Sequence, residues 1–358
     1  MDADSDRSIA GAGEARAAPI PPRDLIDRTG PHRPELSDES FIRRFYEESG
    51  RVRKAGILEA LPDGYSFDGR RVLDFGCGTG RVLRQFLPEA ASGEFWGCDL
   101  HPPTIAWLTQ HLSPPLHFYV NDRIPTPHAD GYFDLVYAIS VFTHITHEWS
   151  AWLLELHRIL KPDGLLLVTI IGPEGWGKSL RRPPDENDLG MCVHSLGPSL
   201  DDTSGAHVLH SPWWLRSRWG RAFEIVSLKS SGFAGNDPGQ GSVLGRKKDV
   251  ALTRDDLERP DPDDPRELRA QRQQLVVFEE GDAEKWERQR RHLAQQQQRA
   301  AQLRQYAGKL RAARQQQAAN PSAVRREYET SLSWQVTRPL RAAGRMVRSF
   351  RSRRSRRR

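Results

Sequence analysis

Val72-Leu73-Asp74-Phe75-Gly76-Cys77-Gly78-Thr79-Gly80 is the stretch that decides the fold. A short apolar run, Arg71 to Phe75, reads as a buried strand and turns directly into three glycines at alternate positions. Glycine takes φ > 0 without steric cost, so such a turn lets the backbone bend sharply and approach a ligand closely. A helix is expected over Gly80 to Leu87, and its N-terminus would offer amides to a carboxylate. The spacing is G-x-G-x-G led by an acid, which differs from the G-x-G-x-x-G of dinucleotide binders.

Strand and helix signals alternate outward from that turn. Strands are expected at 95–99, 116–120, 133–139 and 165–171, with helices at 103–112 and 148–160. The continuous apolar run of the 165–171 segment suits the middle of a parallel sheet. Repeated units of this length predict an α/β fold with a doubly wound, mostly parallel, seven-stranded sheet. Further on, a helix is expected at 212–219 and strands at 223–229 and 249–253. Upstream, Ser37 to Ser40 opens one or two helices that carry Phe41, Ile42, Phe45, Tyr46, Ile57, Leu58 and Leu61 and lie over the ligand turn.

Two further acidic positions follow the strand ends. Asp99 closes the second strand 25 residues after Asp74, where a ribose diol needs a two-oxygen acceptor. Asn121 and Asp122 close the third, within reach of an adenine edge. The first nine residues quoted, together with Phe133-Asp134-Leu135-Val136-Tyr137-Ala138 and Leu156-His157-Arg158-Ile159-Leu160-Lys161-Pro162-Asp163-Gly164-Leu165-Leu166, resemble the ordered motifs of class I (Rossmann-like) S-adenosylmethionine-dependent methyltransferases. The resemblance extends over residues 37–254. It implies S-adenosylmethionine as cofactor, with Asp74, Gly76, Cys77, Gly78, Thr79 and Gly80 around its methionine portion. Asp99 would hold the ribose hydroxyls, Asn121 and Asp122 the adenine, and Leu100 and Ile139 would complete the pocket.

Methyl transfer from a sulfonium depends on in-line positioning, and a hydroxyl acceptor gains from a base within hydrogen-bond reach. His144, just past the fourth strand, is the candidate base, with shaping of the cofactor pocket as the other role open to it. His147 and Glu148 begin the next helix. The Gly/Pro-rich insertion 172–211 carries Trp176, Lys178, Arg181, Arg182, His194, His207 and His210, with Trp213 and Trp214 behind it. These aromatic and basic groups suit a sugar or sugar phosphate, and a plain structural flap is the competing reading.

Composition divides the chain further. Overall 37% of residues are hydrophobic and 28% charged, which points to a folded part with polar appendages. The last 21 residues, 338–358, hold ten arginines and no acid, so the net +6 of the chain becomes −4 for residues 1–337. Residues 1–36 read as a disordered leader, 255–267 as an acidic Pro-broken linker, 268–319 as a Gln/Arg-rich helix and 320–358 as a basic amphipathic tail. Trp286, Leu293, Ala300 and Ala307 recur every seven residues, a coiled-coil pattern that would pair copies of the chain; a solvated single helix is the alternative. Leu340, Ala343, Val347 and Phe350 share one helical face among arginines, as in anchors to an anionic membrane surface. Ser331-Leu332-Ser333-Trp334-Gln335-Val336-Thr337-Arg338-Pro339-Leu340-Arg341 resembles a terminal signature of bacterial surface-polysaccharide enzymes.

Three cysteines, Cys77, Cys98 and Cys192, have neither disulfide-framework nor metal-ligand spacing, so no metal is expected and a cytoplasmic protein is, peripheral to the membrane through its tail. No signal peptide or membrane-spanning run is read. The expected function is methylation of a sugar hydroxyl on a surface glycan or its lipid-linked precursor. The alternatives are a small-metabolite or nucleic-acid methyltransferase, or a cofactor-binding scaffold without turnover. The acidic body disfavours nucleic acid.

Overall fold

The computed structural model describes residues 18–29, 39–177, 180, 183–195, 206–235 and 240–279, with single positions at 298, 301, 305 and 308. The chain divides into two units, 1–290 and 291–358. In the second, the four described positions are helical and exposed. The heptad positions 286, 293, 300 and 307 and the basic tail lie outside the described residues.

The first unit is built on a seven-stranded sheet. Its strands are β1 (Arg71–Phe75), β2 (Glu94–Asp99), β3 (His117–Val120), β4 (Phe133–Ala138) and β5 (Leu160–Ile170), then β8 (Phe223–Lys229) and β9 (Gly241–Lys247). Their order is β3-β2-β1-β4-β5-β9-β8. The first five run parallel, and β9 is antiparallel to both β5 and β8. A separate hairpin pairs β6 (Met191–Ser195) with β7 (Ala206–His210). Alternate residues of the strands enter different cores, as a two-residue period requires. Val72, Leu135 and Leu167 pack with Ile57 of α2 (Glu39–Ala60), with Leu61 just past its end, and with Ile105, Leu108 and Leu112 of α3 (Pro102–Leu112). Leu73, Val136 and Val168 pack with Leu153 and Leu156 of α4 (Trp149–Ile159) and with Trp213, Trp214 and Leu215 of α6 (Pro212–Arg218).

Several expectations are corrected. The last strand is β9 at 241–247, and residues 249–253 form none. Its two glycines disguise it, yet they are required: a Cβ on Gly241 would stand 2.1 Å from the Lys229 carbonyl and one on Gly245 2.9 Å from Phe223 Cβ. The segment after the glycine turn holds only the single 3₁₀ turn Leu83–Phe86, because Gly80 at φ 73° and Pro88 confine it. Of the one or two helices expected from Ser37, the described residues hold one, α2, with Phe45 and Leu58 turned outward.

Residues 18–29 are not a free leader. They contain α1 (Arg23–Thr29), and the buried Arg84 guanidinium donates to the carbonyls of Ala18 and Pro19, at 2.5 and 2.9 Å. A buried cation needs acceptors, and this segment supplies two of them. Nor is 255–267 simply a linker. The Thr253/Asp256 capping box starts α7 (Arg254–Glu258), which buries Leu257 in the main core. α8 (Pro265–Glu279) follows, with Glu267 paired to the buried Arg218.

Candidate functional site

β1 delivers Asp74 to the carboxyl edge of the sheet, between β2 and β4. There the chain turns through Gly76, Gly78 and Gly80, at φ 76°, 52° and 73°. These are left-handed conformations that side chains resist. Space forbids a side chain as well: a Cβ on Gly76 would lie 2.5 Å from Val141 Cγ2, and one on Gly80 2.7 Å from Leu108 Cδ2. From above, the Tyr46 hydroxyl of α2 donates to the Thr79 carbonyl at 2.7 Å, so the long helix closes over the turn.

Asp74 is 2% exposed, and its Oδ2 has no hydrogen-bond partner. Burial pushes its carboxyl up to about 8; the facing Tyr137 hydroxyl and Arg81 oppose this rise, and Asp99 adds to it. An orphaned buried acceptor is costly, and a bound cation would relieve that cost. Cys77 sits buried in the same turn, its thiol pushed up by burial and by Asp74 and Asp99, so it is a packing group and not a nucleophile.

Asp99 ends β2 beside the turn. Its Oδ2 accepts from the Gly78 amide at 2.9 Å and its Oδ1 from the His101 amide at 3.0 Å. Each carboxylate oxygen keeps further acceptor capacity. The Asn121 amide donates to the Asp99 carbonyl at 2.9 Å, which joins the ends of β2 and β3. Asn121 is buried, Asp122 is exposed and pairs with Arg123, Leu100 is exposed and Ile139 is buried. Asp74, the glycines, Asp99 and Asn121 thus share one crest of the sheet, and Asp122 points to solvent from its rim. The turn's amides are mostly spent internally: Gly76 and Cys77 donate to the Cys98 carbonyl, and Gly80 donates to the Cys77 carbonyl. The α-helix expected behind the turn is replaced by the 3₁₀ turn Leu83–Phe86, and the Gly76, Cys77, Gly78 and Gly80 amides are already used within the crest.

Past β4, Ser140 adopts φ 60°, a strained conformation for serine. Its amide donates to Thr169 Oγ1 of β5, and its Oγ accepts from Gln240 Nε2, both at 2.7 Å. His144 is half-buried three residues beyond Val141, and its Nδ1 lies 2.8 Å from the Ala206 carbonyl of β7. A carbonyl only accepts, so Nδ1 carries the proton and Nε2 presents its lone pair. His207 meets the His144 ring edge-on at 5.8 Å and pairs across the hairpin with His194. Burial, then His144 and His194, push the His207 imidazole down.

Several residues assigned to the acceptor side belong to the core instead. Trp176 is 1% exposed, with its indole on the Ile171 carbonyl, and the Trp213 indole donates to the Leu189 and Glu186 carbonyls. His210 is fully buried, and neither ring nitrogen has a partner. Lys178, Arg181 and Arg182 lie outside the described residues. Glu148 caps α4 and pairs with Arg254, in keeping with the start of a helix. Among the described residues no cluster of His, Cys, Asp or Glu could hold a metal, and no helix is long and apolar enough to cross a membrane. Sequence reasoning missed Gln240, since a glutamine 100 residues from Ser140 shares no local signal with it.

Residues 73–168 match the family model of the methyltransferase domain. This segment is a methyltransferase domain. Such a domain takes S-adenosylmethionine as its methyl donor. Over 106 residues the chain is 33% identical to the ubiquinone/menaquinone biosynthesis C-methyltransferase UbiE of Cupriavidus metallidurans, covering 28% of this chain and 42% of that one. It is 30% identical over 159 residues to the tRNA (carboxymethyluridine(34)-5-O)-methyltransferase of Arabidopsis thaliana, 41% of this chain and 36% of that one. The malonyl-[acyl-carrier protein] O-methyltransferase of Porphyromonas gingivalis is 29% identical, across 39% of this chain and 56% of its own length. The chain therefore spans roughly two fifths to a little over half of these relatives. A solved S-adenosylmethionine dependent methyltransferase from Mesorhizobium loti is 16% identical with a TM-score of 0.43, covering 55% of this chain and 98% of that one.

Proposed function

We propose that this protein transfers the methyl group of S-adenosylmethionine to an oxygen acceptor, a sugar hydroxyl of a surface glycan or of its lipid-linked precursor. The observation that carries the cofactor assignment is the buried Asp74 carboxyl, its Oδ2 without a partner, at the head of a turn where Gly76 and Gly80 leave little room for a side chain. A cationic amino-acid end fits that acceptor, and the two oxygens of Asp99 fit a ribose diol on the neighbouring strand. Asn121 lies at the next strand end, where the adenine edge would fall, with Cys77, Thr79, Leu100, Asp122 and Ile139 around it.

When bound, the cofactor supplies an electrophilic methyl group on sulfur. His144 supplies the base. Its Nδ1–H is held by the Ala206 carbonyl, so Nε2 is ready to take the proton of an acceptor hydroxyl as its oxygen attacks. An oxygen acceptor needs that proton removed. The relatives differ among themselves, since their names include both carbon and oxygen methylation. The sugar reading draws its support from the Ser331–Arg341 string and the Arg-rich end. The same end supports docking at an anionic membrane surface, and the 268–319 segment supports pairing of copies.

Incubation with methyl-labelled S-adenosylmethionine and separate glycan, lipid-linked, quinone and tRNA fractions tests the acceptor. Label is expected in the glycan or lipid-linked fraction. His144→Gln should lower turnover by about 10²–10⁴-fold while leaving cofactor binding intact. Label in quinone or tRNA alone would overturn the sugar reading, and absence of cofactor binding would overturn the whole assignment. Sedimentation with anionic liposomes, full chain against a chain ending at Asn320, tests the tail; equal pelleting would remove the membrane role.

A further inference from the structure

Just past β4, Ser140 takes φ 60°, a conformation that is costly for serine and persists only where its surroundings fix it. Two contacts do so. Its amide donates to Thr169 Oγ1, fully buried on β5, and its Oγ accepts from Gln240 Nε2, both at 2.7 Å. Gln240 is anchored in turn. Its carbonyl accepts from the Phe233 amide at 3.0 Å, and the next residue, Gly241, stands opposite Ile170 in the register of β9 on β5.

This arrangement leaves two hydrogen-bonding positions open. The Ser140 oxygen accepts from the Gln240 amide, so the hydroxyl proton stays available to donate. Among the described residues that proton has no acceptor, and Gln240 Oε1 has no donor. Both side chains are half-buried. A donor and an acceptor therefore stand side by side, tied to each other by one bond.

The pair lies between the two halves of the site. On one side Tyr137 stands opposite Asp74 in the β1–β4 register, and Val141 presses on the glycine turn, where a Cβ on Gly76 would lie 2.5 Å from Val141 Cγ2. On the other, the His144 amide donates to the Val141 carbonyl at 2.9 Å, which sets the base one turn beyond.

We infer that Ser140 and Gln240 grip a hydroxyl of the acceptor neighbouring the one that reacts, and so select a polyol over an apolar ring. A hydroxyl both donates and accepts, so one group meets the Ser140 O–H and Gln240 Oε1 together. The reacting hydroxyl gives its own proton to His144. An apolar acceptor would leave both groups unpaired, which costs free energy. This inference rests on the acceptor reading above and names residues that carry it out.

Steady-state transfer from methyl-labelled S-adenosylmethionine to graded amounts of the glycan or lipid-linked fraction tests it, with S-adenosylhomocysteine binding followed by calorimetry. Ser140→Gly removes the hydroxyl at a φ that glycine takes without strain, so the variant should melt close to wild type. It should raise the KM for the acceptor fraction by about 10-fold, the size of a lost hydrogen bond, and by more than it lowers kcat. Gln240→Leu should do the same, and both variants should bind S-adenosylhomocysteine as wild type does. An unchanged KM in both would overturn the inference and leave the sugar acceptor in place. So would a loss confined to kcat, which would mark the pair as a support of His144, or a loss of S-adenosylhomocysteine binding, which would assign it to the donor half. Label in quinone or tRNA alone, or in no fraction, would remove the acceptor reading and this inference with it.

Discussion

Replacing Asp74 with asparagine should stabilise the empty protein while abolishing its cofactor binding. Asp74 ordinarily titrates at 3.8, and burial raises it in the fold to about 8. Its folded value lies above its unfolded one, so the stability it contributes is fully present below pH 3.8 and is lost as pH rises toward 8. At pH 7 the gap in play is about three pH units, or about 4 kcal/mol at 1.36 kcal/mol per unit. Asparagine is neutral at every pH and mimics the protonated acid, so it escapes this loss. At about 2–4 °C per kcal/mol for a domain of this size, the variant should melt about 10 °C higher near pH 7 and at the wild-type temperature near pH 4. Differential scanning calorimetry across pH 4–8 measures the difference. Titration with S-adenosylmethionine should then show the wild type gaining stability and the variant gaining none, because asparagine offers the ammonium no charge. Binding at pH 7 should also release close to one proton from the wild type, seen as a dependence of the binding heat on the buffer. A variant that melts with the wild type at pH 7 and binds the cofactor equally well would refute both the buried acid and its role.

Three further outcomes are expected. Gly76→Ala should cost about 2–4 kcal/mol and eliminate cofactor binding, because a positive φ and a 2.5 Å clash with Val141 coincide there; Gly64→Ala, at φ 72° with open space around it, should cost only about 1 kcal/mol in denaturant melts. His210 is pushed down to about 3 by burial, so the stability tied to its neutral form is present above pH 6.5 and falls away as the pH drops toward 3. His210→Phe should flatten that acid limb in melts between pH 6.5 and 4, and an unchanged slope would rule the residue out as its source. Glu267→Ala strands the buried Arg218 guanidinium and should destabilise the first unit by about 3–5 kcal/mol, whereas the exposed pair at Arg246 and Glu224 should contribute under about 1 kcal/mol. Equal effects at the two pairs would refute the docking of α8.

The glycine turn, the five parallel strands and the acids at their ends were legible because each rests on local chemistry. A glycine at a required positive φ, an apolar run of strand length and an acid at a strand end leave their mark within a few residues. β9 was missed because its two glycines argue against a strand, and only the approach of Lys229 and Phe223 shows why glycine is needed. The helix after the turn was over-read, since the periodic apolar pattern did not register how Gly80 and Pro88 confine it. From composition, residues 18–29 fall in the span read as a leader, 1–36, and residues 255–258 in the span read as a linker, 255–267. Each is held by one distant partner, Arg84 in the first case and the main core around Leu257 in the second. The tryptophans of the insertion were given to the acceptor because an aromatic residue in a Gly/Pro-rich stretch looks exposed. In the fold their indoles reach backbone carbonyls inside the core.

The same contrast explains why the donor side of the site is easier to read than the acceptor side. Asp74, the three glycines, Asp99 and Asn121 all fall within the 73–168 segment that matches the methyltransferase domain. The groups that shape the other half of the crest are joined from outside it. Ser140 is held in its strained conformation by Gln240, and His144 by the Ala206 carbonyl, contacts that span 100 and 62 residues of chain. Strain of this kind persists only where the surroundings over-determine it, and here two separate elements do so. A change in the β6–β7 hairpin or in the loop before β9 would therefore move His144 and Ser140 without touching the glycine turn. The matched segment thus contains Ser140 and His144 themselves but not Gln240 and Ala206, the residues that hold them.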